Sequence, residues 1–162
     1  ITRYLRNVWL WDRVRVRGGA YGAFCSLDRH SGVLSFVSYR DPNIMETLEA
    51  FDQCAGFLEK DKPGREEIEK SIIGAIGDLD AHLLPDAKGF TSMLWYLTGN
   101  TDELRQRVRE EVLGTEARHY QEFSGILKEA SEKGIVKILA CPGALESAGA
   151  GHSGWLEMVK VL

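Results

Sequence analysis

Proline is scarce in this sequence, with 4 residues in 162, and so is cysteine, with only Cys25, Cys54 and Cys141. The cysteines are far apart, odd in number and form no C-x-x-C pair, which argues against a disulfide framework or a cysteine zinc cluster. Reduced, mostly buried thiols are expected, because free cysteine is among the most buried residue types. No apolar run approaches the ~20 residues that a membrane-spanning helix needs. No charged-then-apolar leader precedes a cleavage site either. Neither charge dominates: 20 Lys+Arg against 24 Asp+Glu leave a formal net charge of −4. That argues against a nucleic-acid binder, whose domain is usually basic.

Histidine is sparse as well. None of His30, His82, His119 and His152 has another histidine at four-residue spacing. His119-Tyr120-Gln121-Glu122 lacks the second histidine of a helical zinc motif. A zinc site needs three or four convergent ligands, so no residue here is assigned to a metal.

What is present is an ordinary globular composition, 44% hydrophobic and 27% charged. The length suits one domain, which would bury roughly 70% of the surface of its unfolded chain. The chain begins at Ile1, already in helical pattern, and is expected to be a piece of a longer protein forming a single domain over 1–162.

Leu5, Val8 and Trp9 predict an opening helix to Arg17, stopped by Gly18-Gly19. Residues 20–27 and 33–39 read as strands joined by the polar turn Asp28-Arg29-His30-Ser31-Gly32, a hairpin. Asp41-Pro42-Asn43 breaks the second strand and caps a helix over 44–58. Further helices are expected over 65–84, 90–97 and 101–133, the last divisible at Gly114 or Gly125. Leu104, Val108, Val112 and Phe123 would anchor this helix if it packs on the rest of the protein; core packing within the domain is the plainer alternative. The apolar run 135–140 reads as a buried strand, Pro142 starts a short helix or turn, and 149–154 reads as a loop. Residues 155–162 fit either element. Together these give an α+β domain: an antiparallel sheet covered by helices.

The sharpest local feature is Val14-Arg15-Val16-Arg17-Gly18-Gly19-Ala20-Tyr21-Gly22. A glycine pair lets the backbone adopt positive φ and lets another group come close. The junction can therefore present a cation and a phenol on one side of a turn. The plainer alternative is a helix stop with Arg13, Arg15 and Arg17 as a solvated face. Trp9 and Trp11 beside these arginines also admit a single-strand nucleic-acid reading, which the overall acidity disfavours. A phosphate loop is disfavoured by order, since its glycines follow a strand and open a helix.

The segment Leu10–Gly22 resembles presequence proteases, a branch of the insulysin and pitrilysin metallopeptidases that carries V-R-x-[KR]-G-G-A-Y-G there. Ser38-Tyr39-Arg40-Asp41-Pro42-Asn43, Ile73-Gly74-Ala75-Ile76-Gly77-Asp78 and Leu84-Pro85-Asp86-Ala87-Lys88-Gly89 are similar too, in the same order, closest to the plant-type enzymes. The likeness weakens after Ala140. The resemblance implies a carboxy-terminal, zinc-free domain built like one repeat unit of those peptidases. Zinc would be held by the amino-terminal half of the same protein through an H-x-x-E-H motif, which this sequence lacks. The resemblance further implies that Arg15 and Tyr21 contact the peptide substrate, with Gly18, Gly19 and Gly22 shaping the turn. The implied location is the mitochondrial matrix or chloroplast stroma. Two rivals remain: a non-catalytic peptide-binding or scaffolding subunit of the same fold, and an unrelated module whose basic turn meets acidic partners.

Overall fold

The computed structural model describes residues 1–149 and 155–159. Its first element departs from the expected α-helix. After a short α1 (Thr2–Tyr4), residues Leu5–Arg17 form a π-helix, a winding usually confined to single turns. Sequence spacing accounts for it. Leu5, Leu10 and Val14 are all buried here, yet at 100° per residue Leu5 and Leu10 would lie about 140° apart. Bonds from residue i to i+5 bring them onto one face. The last of these runs from Gly18 N–H to the Arg13 carbonyl, at 3.1 Å. Val8, expected inside, is exposed as a result.

The hairpin forms as expected. Strand β1 (Gly22–Leu27) pairs antiparallel with β2 (Leu34–Tyr39), in a register that sets Gly22 opposite Tyr39, Phe24 opposite Val37 and Cys25 opposite Phe36. Side chains alternate between the faces. Ala23 and Cys25 enter the core, while Phe24, Val37 and Tyr39 stand exposed on the other face.

Helices cover the inner face. The helix expected over 44–58 breaks at Gln53 into α2 (Met45–Asp52) and α3 (Cys54–Lys60). Next come α4 (Arg65–Leu79), α5 (Pro85–Leu97), α6 (Asp102–Leu113), α7 (Ala117–Lys133) and α8 (Pro142–Gly149). Helix α4 stops at Leu79, five residues short of the expected end. Helix α5 begins at Pro85 rather than Phe90, because proline at the first helical position gives up no hydrogen bond. The long charged segment divides at Gly114, whereas Gly125 lies within α7 without interrupting it.

Tyr4, Leu5, Leu10 and Val14 pack with Ala50, Cys54, Ala55, Leu58, Tyr120 and Leu127 to form the core. The Tyr4 ring meets Tyr120 edge-on at 5.3 Å, and Trp9 stacks on Phe57 at 4.8 Å. Helix α3 lies against α7, and β1 against the π-helix. Helices α4, α5 and α6 contribute no buried residue. Arg109 grips Asp80 with two hydrogen bonds, of 2.5 and 2.7 Å, and so ties α6 to the end of α4.

Two expectations need correction. Residues 135–140 form no strand: Ile135 is 84% and Leu139 88% exposed. A short apolar run reads the same whether or not a partner strand exists beside it, and the sheet here has two strands among the described residues. Leu104 on α6 is exposed, so the alternative of core packing within the domain does not hold at that position. The thiols are mostly buried as expected, Cys25 and Cys54 inside and Cys141 exposed. Residues 155–159 form neither helix nor strand. The loop expected over 149–154 lies outside the described residues apart from Gly149, and so does His152.

Candidate functional site

Of the four arginines on the π-helix, Arg13, Arg15 and Arg17 each have a partner on the same helix. The Arg13 guanidinium lies over Trp9 at 4.7 Å, and that of Arg15 over Trp11 at 4.0 Å. Arg17 pairs with Asp12 at 3.0 Å. Distances below about 6 Å from ring centroid to cation are attractive, and arginine stacks well because its plane is weakly hydrated. The arginines therefore point around the helix rather than forming one solvated stripe. Of these three, only Arg15 lines a surface together with the start of β1.

The turn between helix and strand is fixed from both sides. Gly19 holds φ at +78°, a conformation glycine enters without a Cβ clash. A Cβ on Gly18 would stand 2.5 Å from the Val14 carbonyl oxygen, so only glycine lets the helix end close this tightly. Val14 accepts from Ala20 N–H at 3.1 Å. On the far side the Asn43 side chain donates to the Gly18 carbonyl, and Asp41 accepts from Thr47 Oγ1 at 2.7 Å.

Beyond this turn Arg15 and Tyr21 line one concavity of about 370 Å3. The other walls are Arg6, Asn7 and Trp11 from the helix, and Gly22, Ala23 and Phe24 from β1. Trp11, Tyr21 and Phe24 are 50%, 67% and 48% exposed, so aromatic surface is open to a ligand. Neither Arg6 nor Arg15 has a carboxylate partner among the described residues. The Tyr21 ring is braced edge-on by Tyr39 at 6.0 Å and 84°. Gly18 and Gly19 form the turn between Arg15 and Tyr21 but do not line the concavity. Gly22 lines it directly, and a Cβ there would stand 2.9 Å from the Phe24 ring.

Sequence reasoning did not single out Arg6, Asn7 or Phe24 as part of this surface. Trp11 had a signal, since it precedes Arg15 by about one helical turn. Arg6 had none in a 3.6-residue period, because only the wider winding aligns residues 6, 11 and 15.

Cys25 lies on the inner face of β1, where burial pushes its thiol up to about 12. A protonated, buried thiol is no nucleophile at neutral pH. Among the described residues no three His, Cys, Asp or Glu side chains cluster to hold a metal ion. The family resemblance assigns its zinc to the amino-terminal half of the parent protein rather than to these residues.

With the geometry in hand, three relatives define the company this chain keeps. "Presequence protease 1, chloroplastic/mitochondrial" of Arabidopsis thaliana is 45% identical over 162 residues, covering 100% of this chain and 15% of that protein. "Protein HypA" of Clostridium perfringens is 36% identical over 131 residues, covering 81% and 13%. "Presequence protease, mitochondrial" of Mus musculus is 31% identical over 112 residues, covering 69% and 10%. The chain thus spans no more than 15% of the length of these relatives. The family model described as PreP C-terminal domain matches residues 1–141, and the chain belongs to that family of presequence-protease carboxy-terminal domains.

Proposed function

We propose that residues 1–162 form a single zinc-free domain near the carboxy terminus of an ATP-independent zinc oligopeptidase. This enzyme degrades cleaved targeting peptides and other short unstructured peptides, in the mitochondrial or chloroplast compartments for which the Arabidopsis and mouse relatives are named. Zinc, by family resemblance, is held in the amino-terminal half of the parent. This domain closes the reaction chamber against that half and contributes no metal ligand.

One observation carries the reading: Arg15 and Tyr21 line the same open concavity, one from the end of a helix and the other from the start of a strand. A phenol O–H aimed at the carbonyl oxygen of the scissile bond stabilises the negative charge that develops there. A guanidinium offers several donors in a fixed plane, suited to a neighbouring peptide carbonyl or carboxylate oxygen. Stacking on Trp11 holds the Arg15 plane in place, so little side-chain freedom is lost when peptide binds. The exposed rings of Trp11 and Phe24 give apolar surface to an amphipathic targeting peptide.

Kinetics of the full-length parent test this. Tyr21→Phe is expected to lower kcat by about 10²-fold, the loss typical of one oxyanion donor. Arg15→Lys should also lower kcat/KM, because the planar fork and its stacking are gone. Unchanged kinetics in Tyr21→Phe would remove the hydroxyl from the mechanism. The isolated 162-residue chain, which lacks H-x-x-E-H, is expected to hydrolyse no peptide, and metal-dependent cleavage by it would refute this division of labour. A parent that binds peptides without cleaving them would favour the scaffolding role instead.

A further inference from the structure

Residue 40 has an unusual backbone. Arg40 has φ of +48°, the one non-glycine residue with positive φ among those described. Backbone of this kind favours glycine or asparagine, because a Cβ crowds the neighbouring carbonyl. Strain held at one residue is maintained by its surroundings and tends to mark a functional site. The question is what an arginine adds there that glycine would not.

Its surroundings answer in three ways. The Arg40 carbonyl accepts from Tyr21 N–H at 3.2 Å, just beyond the last pair of the hairpin ladder. The guanidinium folds back over two rings, 5.8 Å from the centroid of Tyr21 and 5.3 Å from that of Tyr39. The two rings meet edge-to-face. No carboxylate pairs with Arg40 among the described residues, so the aromatic faces are its partners. The left-handed step at residue 40 also turns the chain so that Asp41-Pro42-Asn43 backs the Gly18-Gly19 turn. There Asn43 donates to the Gly18 carbonyl, and Pro42 lies within contact of the space beside Gly19.

We propose that Arg40 is a positioning residue for Tyr21. Its backbone fixes where Tyr21 enters the strand, and its guanidinium holds the phenol ring against Tyr39 where Tyr21 lines the concavity. Arg40 does not line that concavity and acts through Tyr21 alone. The proposal rests on the reading of Tyr21 as the donor to the reacting carbonyl, and deepens it.

Arg40→Gly in the full-length parent isolates the side chain, because glycine takes the left-handed backbone without strain. The melting temperature should hold or rise. At the same time kcat should fall about tenfold with KM changed less than about twofold, as when a group that acts in the transition state is displaced by a fraction of an ångström. Arg40→Lys, which keeps the charge but not the plane, should lie between. Adding Arg40→Gly to Tyr21→Phe should cost nothing further, since both remove the same interaction. Fluorotyrosine placed at Tyr21 reads the ring directly, and its fluorine NMR line should shift and broaden in Arg40→Gly. Where Tyr21→Phe itself lowers kcat, wild-type kcat in Arg40→Gly overturns the proposal, as does a loss that multiplies with that of Tyr21→Phe or one explained by a lower melting temperature; an unchanged fluorine line overturns it in every case. If Tyr21→Phe alone leaves kcat intact while the fluorine line still responds to Arg40→Gly, the positioning stands and the donor role of Tyr21 is what fails.

Discussion

Substituting alanine for Gly18 is the most direct test of the turn that builds the site. The added Cβ would stand 2.5 Å from the Val14 carbonyl oxygen, and to reach even 3.0 Å something must move by about 0.5 Å. That oxygen is not free to yield. It is backbone, and it accepts from Ala20 N–H at 3.1 Å. The Gly18 carbonyl is likewise held by Asn43. Overpacking of this kind costs about 1–3 kcal/mol, of which a lost backbone hydrogen bond supplies about 0.5–1.5 kcal/mol. Arg15 follows Val14 directly and Tyr21 follows Ala20, so the displacement reaches both walls of the concavity. A misplacement of 1 Å can cost about 10²-fold in rate, so half of it implies roughly tenfold in kcat/KM. The assay pairs urea unfolding with hydrolysis of a fluorogenic peptide by the full-length parent. Gly32→Ala is the control, because Gly32 has φ +72° in the hairpin turn with nothing within 4 Å of an added Cβ. It should lose about 1–2 kcal/mol through backbone strain yet keep full activity. Wild-type turnover in Gly18→Ala would refute the steric reasoning, and so would an equal activity loss in Gly32→Ala.

Two more predictions follow from the core. The Cys25 thiol is raised from 9.0 to about 12 by burial. Its contribution is therefore complete below pH 9 and lost as the pH climbs towards 12, while the unfolded thiol ionises and the buried one does not. Stability should fall over that range by about 1.4 kcal/mol per pH unit on this group's account, and Cys25→Ala should remove that part of the slope in unfolding titrations. An unaltered alkaline slope in Cys25→Ala would show that the thiol does not contribute. Leu58 is fully buried on α3, so Leu58→Ala should cost about 2–5 kcal/mol, read as a lower urea midpoint. A loss below about 1 kcal/mol would mean that the site collapses around the cavity.

Local chemistry made several features legible before any coordinates. The glycine pair had to end the opening helix. Two β-rich runs around Asp28–Gly32 had to fold back on each other, and the Val14–Gly22 junction placed a cation and a phenol close in sequence. Nearest-neighbour sterics and turn residues decide such things, and they travel with the chain. The family was legible for the same reason, because its motif is a local string. Tertiary packing decided the rest. Burying Leu5, Leu10 and Val14 together favoured a π-helix over the 3.6-residue winding, and that choice carried Arg6 and Trp11 round to Arg15. Arg40 took a left-handed backbone where the neighbouring Tyr39 ring and the Tyr21 ring, the latter nearly twenty residues away in sequence, lie beside it. The apolar run at 135–140 stayed outside a sheet because a strand needs a partner edge, which no sequence window contains.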